Sequence, residues 1–153
     1  MMKNAVVSIV MGSTSDEGHL EPALEILDEL GIAWEKRALS AHRQPDELRS
    51  YVAEADGRGI RVFIAAAGLS AALPGVIAAH TLKPVIGIPG PGGPLGGGDA
   101  LLSIVQLPGG IPVATVGLGS HGPKNAAVLA AEILALSDET IREKVRRYRD
   151  GLK

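Results

Sequence analysis

Apolar and polar positions alternate along this chain in blocks that read as strand, turn and helix in repeating order. Ala5 to Met11 (AVVSIVM) is apolar at nearly every position, the pattern of a strand buried on both faces of a parallel sheet. Gly12 to Asp16 makes a turn rich in helix-capping residues. From Glu17 to Leu30 the residues Leu20, Leu24, Leu27 and Leu30 recur at helical spacing, and Gly31 closes the helix. Pro22 lies inside that pattern and either kinks the helix or delays its regular start. Ile32 to Leu39 reads as a second strand, and Pro45 to Ala55 as a helix with proline in its first turn. Ile60 to Ala66 is a third strand. Leu69 to His80 is a small-residue helix whose Pro74 sets a start near Leu73. Lys83 to Ile88 is a fourth strand, and Ile111 to Gly117 a fifth. Between them lie a glycine-rich, mobile loop from Pro89 to Gly98 and a short helix from Ala100 to Gln106. Lys124 to Leu136 is an Ala/Leu helix. A charged helix from Asp138 to Arg149 ends the pattern, packing on a neighbouring subunit or lying loosely on the surface.

Regular alternation with short connections predicts a single domain over residues 1–153. The expected architecture is α/β: a three-layer α/β/α sandwich around a flavodoxin-like, doubly wound, mostly parallel five-stranded sheet. The strand order predicted is 2-1-3-4-5, with an extra C-terminal helix. In that order the loops after the strands open on one edge, and the Gly12 and Gly68 loops meet at the switch point.

Composition narrows the chemistry. Hydrophobic residues make up 46% of the chain and aromatics only 3%, so the core is built of Ala, Val, Ile and Leu. A net charge of −2 gives no basic surface for nucleic acid, and Trp34 alone is no stacking platform. Without cysteine there is no disulfide, thiolate nucleophile or Cys-bound zinc, and no histidine pair has metal-ligand spacing, so no metal is expected. The start Met1-Met2-Lys3-Asn4 lacks the features of a signal peptide, and no apolar run is long enough to span a membrane. A cytoplasmic location is expected.

The residues with chemical potential cluster at the expected strand ends. Gly12, Ser13, Ser15 and Asp16 offer backbone N–H groups, hydroxyls and a helix start to a phosphate or ribose. An N-cap in a tight turn explains the same residues. The segment is neither a Walker loop nor Gly-x-Gly-x-x-Gly, which disfavours a dinucleotide. Ser40-Ala41-His42-Arg43 sets an imidazole beside a guanidinium at a strand-to-helix turn. An imidazole titrates near ~6.5 in water and suits proton transfer at neutral pH, while arginine offers a planar fork to phosphate or carboxylate. The alternative is a capping histidine beside a solvated arginine; the position at a strand's carboxyl end favours chemistry. His19 is expected on an exposed helix face, His80 at a helix end, and His121 capping the next turn. Asp99 is read first as a cap of the short helix, and otherwise as a residue closing the glycine loop on a ligand.

Taken together these segments resemble the phosphoribosylaminoimidazole carboxylase catalytic-subunit family of purine biosynthesis. The matching stretches are VSIVMGSTSD (Val7 to Asp16), SAHRQPDEL (Ser40 to Leu48), AAGLSAALPGVIAAHTLKPVIGIP (Ala66 to Pro89), LGGGDALLSIVQLPGGIPVATVGLG (Leu95 to Gly119) and PKNAAVLAAEIL (Pro123 to Leu134). The resemblance implies an enzyme without organic cofactor or metal that makes 4-carboxy-5-aminoimidazole ribonucleotide. One class, the mutase, moves a carboxylate from the exocyclic nitrogen of N5-carboxyaminoimidazole ribonucleotide to C4. The other adds carbon dioxide directly to aminoimidazole ribonucleotide. It further implies His42 as general acid/base, Ser13 and Asp16 on phosphate and ribose, and Arg43 at the phosphate end. Gly12, Ser15, Ser40, Ala41, Gly68, Ser70, Leu73, Pro89 and Leu95 complete the implied substrate site, and a homo-octamer is the implied assembly.

The chain departs from the family pattern between Ala66 and Gly75. The mutase class reads GAGGAAHLPG there, so Ala72 stands where a histidine is typical. The direct carboxylases read GRSNALSG; Leu69 replaces their arginine and Ala71 their asparagine. The Pro-Val-Gln-Ser start of the substrate loop is replaced by Pro89-Gly90-Pro91-Gly92. A reading from a different class is a non-catalytic nucleotide- or flavin-binding module on the same fold. The scarcity of aromatics argues against flavin.

Overall fold

Strand β1 (Val7–Met11) is buried along its whole length because it is paired on both edges and covered on both faces. A computed structural model describes residues 4–153; Met1, Met2 and Lys3, on which part of the amino-terminal reading rests, lie outside it. β1 pairs in parallel with β2 (Trp34–Ala38) on one side and β3 (Val62–Ala67) on the other, and β4 (Val85–Pro89) adds beyond β3. Val7 lies opposite Trp34 and Val62, and Met11 opposite Ala38 and Ala66. The sheet order is β2-β1-β3-β4.

Period-2 alternation divides the core in two. Val7, Ile9, Met11, Val62, Ile64, Ala66, Ile86 and Ile88 point to one face. There they meet Leu20, Ala23 and Leu27 of α1 (Glu17–Glu29) and Ala126, Ala127, Ala130 and Ala131 of α5 (His121–Ala135). Val10, Phe63, Ala65 and Val85 point to the other face. They pack on α2 (Pro45–Arg58), α3 (Leu73–Ala78) and α4 (Gly98–Val105) through Leu48, Val52, Leu73, Ile77 and Ala100. Burying each of Ile9, Ile64 and Ile86 is worth roughly 1.5–3 kcal/mol. The alanines of α5 and Gly87 of β4 let helices come close. A Cβ at Gly87 would stand 2.8 Å from Cγ2 of Ile104 on α4. The edge strand β2 is half-buried to exposed and carries Glu35, Lys36 and Arg37; such charges discourage strand addition from another chain.

Several boundaries follow the expectation closely and three features differ. Pro45 opens α2, Gly59 at φ 105° ends it, and α3 starts at Leu73. α1 runs through Pro22 as one helix. The expected fifth strand is reduced to a single bridge, Ile86 to Ala114, with the Gly87 N–H donating to the Ala114 carbonyl at 2.7 Å. The reason is local: Pro112 has no N–H to give the ladder, and Gly117 at φ 129° ends the extended run. The sheet of the described residues is therefore four-stranded. α5 begins at His121, earlier than expected, because Pro123 fits a first helical turn. The terminal helix α6 (Glu139–Asp150) is not loose. Asp138 caps it through Thr140 and Ile141, Val145 is buried, and Arg149 pairs with Glu132 of α5 at 3.1 Å.

One polar chain ties β1, β2 and α2 together. Ser8 is fully buried on β1 and sits 2.6 Å from the Tyr51 hydroxyl, which donates to Oε1 of Glu35 at 2.7 Å. With its single proton given to Glu35, Tyr51 accepts from Ser8. Burial first, and then the Glu35 carboxylate, push the Tyr51 pKa up from 10.0 to about 12. The neutral phenol is the form the fold prefers, so its contribution is complete below pH 10 and lost between pH 10 and about 12. Tyr51→Phe is expected to cost about 1–3 kcal/mol at pH 7 by stranding the Ser8 hydroxyl. It should also flatten the loss of stability between pH 10 and 12. Urea unfolding of both proteins across that range is the check; identical curves would refute the network's role.

Candidate active site

A parallel sheet points every strand's carboxyl end at the same edge, so the four connecting loops meet there. They enclose a cavity of about 790 Å³, within the usual range for a small-molecule site.

The β1 loop is a 3₁₀ turn over Thr14–Asp16, capped by Ser13, whose Oγ accepts from the Ser15 N–H at 3.3 Å and lies 3.0 Å from Ser15 Oγ. The turn brings two hydroxyls and the Asp16 carboxylate to the cavity wall with Gly12. Burial raises the Asp16 pKa above its ordinary 3.8, partly opposed by a backbone hydrogen bond at Ser13 and by His19. His19 is not on a solvated face. It is half-buried beside Asp16, three residues on, and its Nε2 is buried without a partner.

The β2 loop is locked by Ser40 and Gln44. Ser40 is buried; its Oγ accepts from the Arg43 N–H at 3.2 Å and its carbonyl from the Gln44 N–H at 2.9 Å. These bonds hold the backbone and leave the side chains of His42 and Arg43 exposed. His42 does not cap α2, whose N-cap is Gln44 without a side-chain bond. Ser40, Ala41, His42 and Arg43 all line the cavity.

The β3 loop supplies Gly68, Ser70 and Leu73, together with Ala67, Leu69, Ala71 and Ala72. Leu69 is at φ 54°, a left-handed conformation that costs a leucine about 1–2 kcal/mol. The β4 loop lies directly on it. The Gly90 N–H donates to the Ala67 carbonyl at 2.9 Å, and a Cβ at Gly90 would be 2.9 Å from Cα of Gly68. Only glycine permits that approach. From this loop the cavity takes Gly92, Gly93 and Pro94.

Two expected members are absent from the wall. Pro89 is buried as the last residue of β4. Leu95 is 68% exposed and faces a neighbouring depression beside Leu102. The loop turns at positive-φ Gly93, Gly96 and Gly97, which aims its middle at the cavity and its leucine away. Asp99 takes a place the sequence reading did not favour. It does not cap α4, whose N-cap is Gly97; its Oδ1 is buried without a partner at the cavity wall. The signal for it was an acidic residue directly after a glycine loop.

His80 is exposed beyond the end of α3, and His121 opens α5 without capping it. A separate cavity of about 780 Å³ beside His80 and Lys83 shares no lining residue with this one, and Asp56 there is already bound to Thr81 at 2.8 Å. Among the described residues no cluster of three metal-binding side chains occurs and no helix is long and apolar enough to cross a membrane.

The profile of the AIR carboxylase family matches residues 6–153. The chain belongs to that family. It is 50% identical over 148 residues to the N5-carboxyaminoimidazole ribonucleotide mutase of Bacillus subtilis (strain 168), covering 97% of this chain and 91% of that protein. Identity to the mutase of Pyrococcus abyssi (strain GE5 / Orsay) is also 50%, over 96% of this chain and 83% of that one. The crystal structure of Treponema denticola PurE superposes with a TM-score of 0.87 at 36% identity, covering 95% of this chain and 89% of that one. The resemblance seen in the motifs thus holds for nearly the whole chain.

Asp16 offers a test of the site's electrostatics. Its raised pKa means the neutral carboxyl suits the fold, so its contribution is complete below pH 3.8 and lost as pH rises through the folded value. Asp16→Asn should match the parent at pH 3 and melt at higher temperature at pH 7. A variant that melts lower at pH 7 than the parent would show that the ionised form is favoured instead.

Proposed function

We propose that this chain, as one catalytic domain over residues 1–153, is an N5-carboxyaminoimidazole ribonucleotide mutase of purine biosynthesis. The observation that carries the reading is the convergence of His42 with the Ser13, Ser15 and Asp16 turn on one cavity. The mutases at 50% identity support the same reaction.

Each residue's role follows from its chemistry. Arg43 and the Ser13 and Ser15 hydroxyls hold the phosphate end, and Asp16 accepts from the ribose. Ser40 and Ala41 set the backbone that presents His42. Gly12 and Gly68 let the ring approach main chain, while Ser70 and Leu73 bound it. Asp99 lines the same wall and offers its carboxylate to the ribose or the exocyclic N–H.

The reaction is a balanced isomerisation. The bond from the exocyclic nitrogen to the carboxylate carbon breaks, its electron pair stays on nitrogen, and neutral carbon dioxide is released into the cavity. Protonated His42 supplies the proton that nitrogen needs. The ring's electron pair then attacks carbon dioxide from C4, and neutral His42 removes the C4 proton. The imidazole ends as it began.

Direct carboxylation of aminoimidazole ribonucleotide is the second reading, favoured by Ala72 in the cavity wall where the mutase motif has histidine. A flavin- or nucleotide-holding module fits less well. Phe63 is fully buried in the core and Trp34 is bonded to Asp28, so neither stacks in the cavity. A cytoplasmic homo-octamer belongs to the same proposal; exposed Leu102, Val105, Ile111 and Leu118 support association between copies. Light scattering reads the assembly.

Purified protein is expected to convert N5-carboxyaminoimidazole ribonucleotide to the C4 isomer without ATP. Conversion only of aminoimidazole ribonucleotide with abundant bicarbonate would establish the carboxylase instead. His42→Asn should lower kcat by about 10²–10⁴. Asp99→Asn should raise KM about tenfold with a smaller change in kcat. Unaltered kinetics in either variant would remove that residue from the mechanism.

A further inference from the structure

Leu69 combines two unfavourable features at one point of the cavity wall. Among the described residues it is the sole non-glycine with a positive φ, at 54°, and it is 59% exposed. Glycine would adopt that backbone freely, so the conformation gives no reason for a leucine. The side chain does. Its Cδ2 reaches across to the facing loop and stands 2.7 Å from where a Cβ at Gly93 would be, with Gly93 itself at φ 88°. The isobutyl group therefore spans the gap between the β3 loop and the glycine loop, resting on a position that has no side chain to oppose it.

We infer that Leu69 is the residue that keeps the transferred carbon inside the cavity, so that the carboxylate is moved rather than lost. The inference rests on the mutase reading. Carbon dioxide in transit is neutral, and Arg43 and the serines have no charge to grip. Only a wall can retain it. If water reaches it, the products are bicarbonate, a proton and uncarboxylated aminoimidazole ribonucleotide. The cavity's polar members attract water, whereas Leu69 is the exposed large apolar side chain lining it; Leu73 is already buried. An apolar cover joined to the opposite loop both excludes water and blocks escape.

The test compares the parent with Leu69→Gly and Leu69→Ala, starting from unlabelled N5-carboxyaminoimidazole ribonucleotide in ¹³C-bicarbonate buffer. Two quantities are read: the fraction of substrate ending as uncarboxylated ribonucleotide, corrected for its spontaneous decay, and the label entering the C4 product. Both should rise several-fold in both variants, with the glycine variant melting higher than the alanine variant because it relieves the strained φ. Leakage and labelling equal to the parent in either variant overturn the inference while leaving the mutase reading intact. A parent that makes no C4 product from this substrate overturns that reading, and the inference with it.

Discussion

The structure depends on β1 having no free side. It is hydrogen-bonded along both edges by the parallel strands β2 and β3 and buried on both faces, so helices must cover it above and below. Once those neighbours are fixed, chain direction sends the Gly12, Ser40 and Gly68 turns to one edge. The proposed site is thus a by-product of how one apolar strand is satisfied. Its loops need no long-range ion pairs to find each other.

The loops themselves are held by short local bonds, from main chain to main chain and from main chain to the Ser13 and Ser40 hydroxyls. Ser40 and Gln44 close the turn that presents His42, and Gly90 lies against Gly68 at a separation no side chain allows. Those bonds leave the side chains of His42 and Arg43 exposed at the wall. Ser13, His42, Arg43 and Asp99 line the cavity together, and the buried, unpartnered Oδ1 of Asp99 is a local cost within its wall.

Much of the architecture was legible in the sequence because strand and helix periods differ so clearly. The run from Ala5 to Met11 and the spacing of Leu20, Leu24 and Leu27 each admit one interpretation. The fifth strand is not legible because its apolar content matches a strand while Pro112 and Gly117 deny it a ladder. The SAHR turn was legible from its place after a strand. The resemblance implies Pro89 and Leu95 as substrate contacts, and neither lines the cavity; a loop turned by three positive-φ glycines has no periodicity from which to read direction. The backbone state of Leu69 and the isolation of Asp99 Oδ1 are properties of three-dimensional neighbours, and no spacing announces them.

Gly87 carries a consequence for how such a site can be retuned from a distance. The missing methyl on β4 is what lets Ile104, and with it the whole of α4, settle onto the sheet, and Asp99 rides on that helix's first turn. Alanine at 87 would act as a wedge under the helix, lifting a wall of the proposed site without altering any polar group that lines it. Evolution therefore has, in one hydrogen atom on the floor of the sheet, an adjustment screw for the width of the chamber above it.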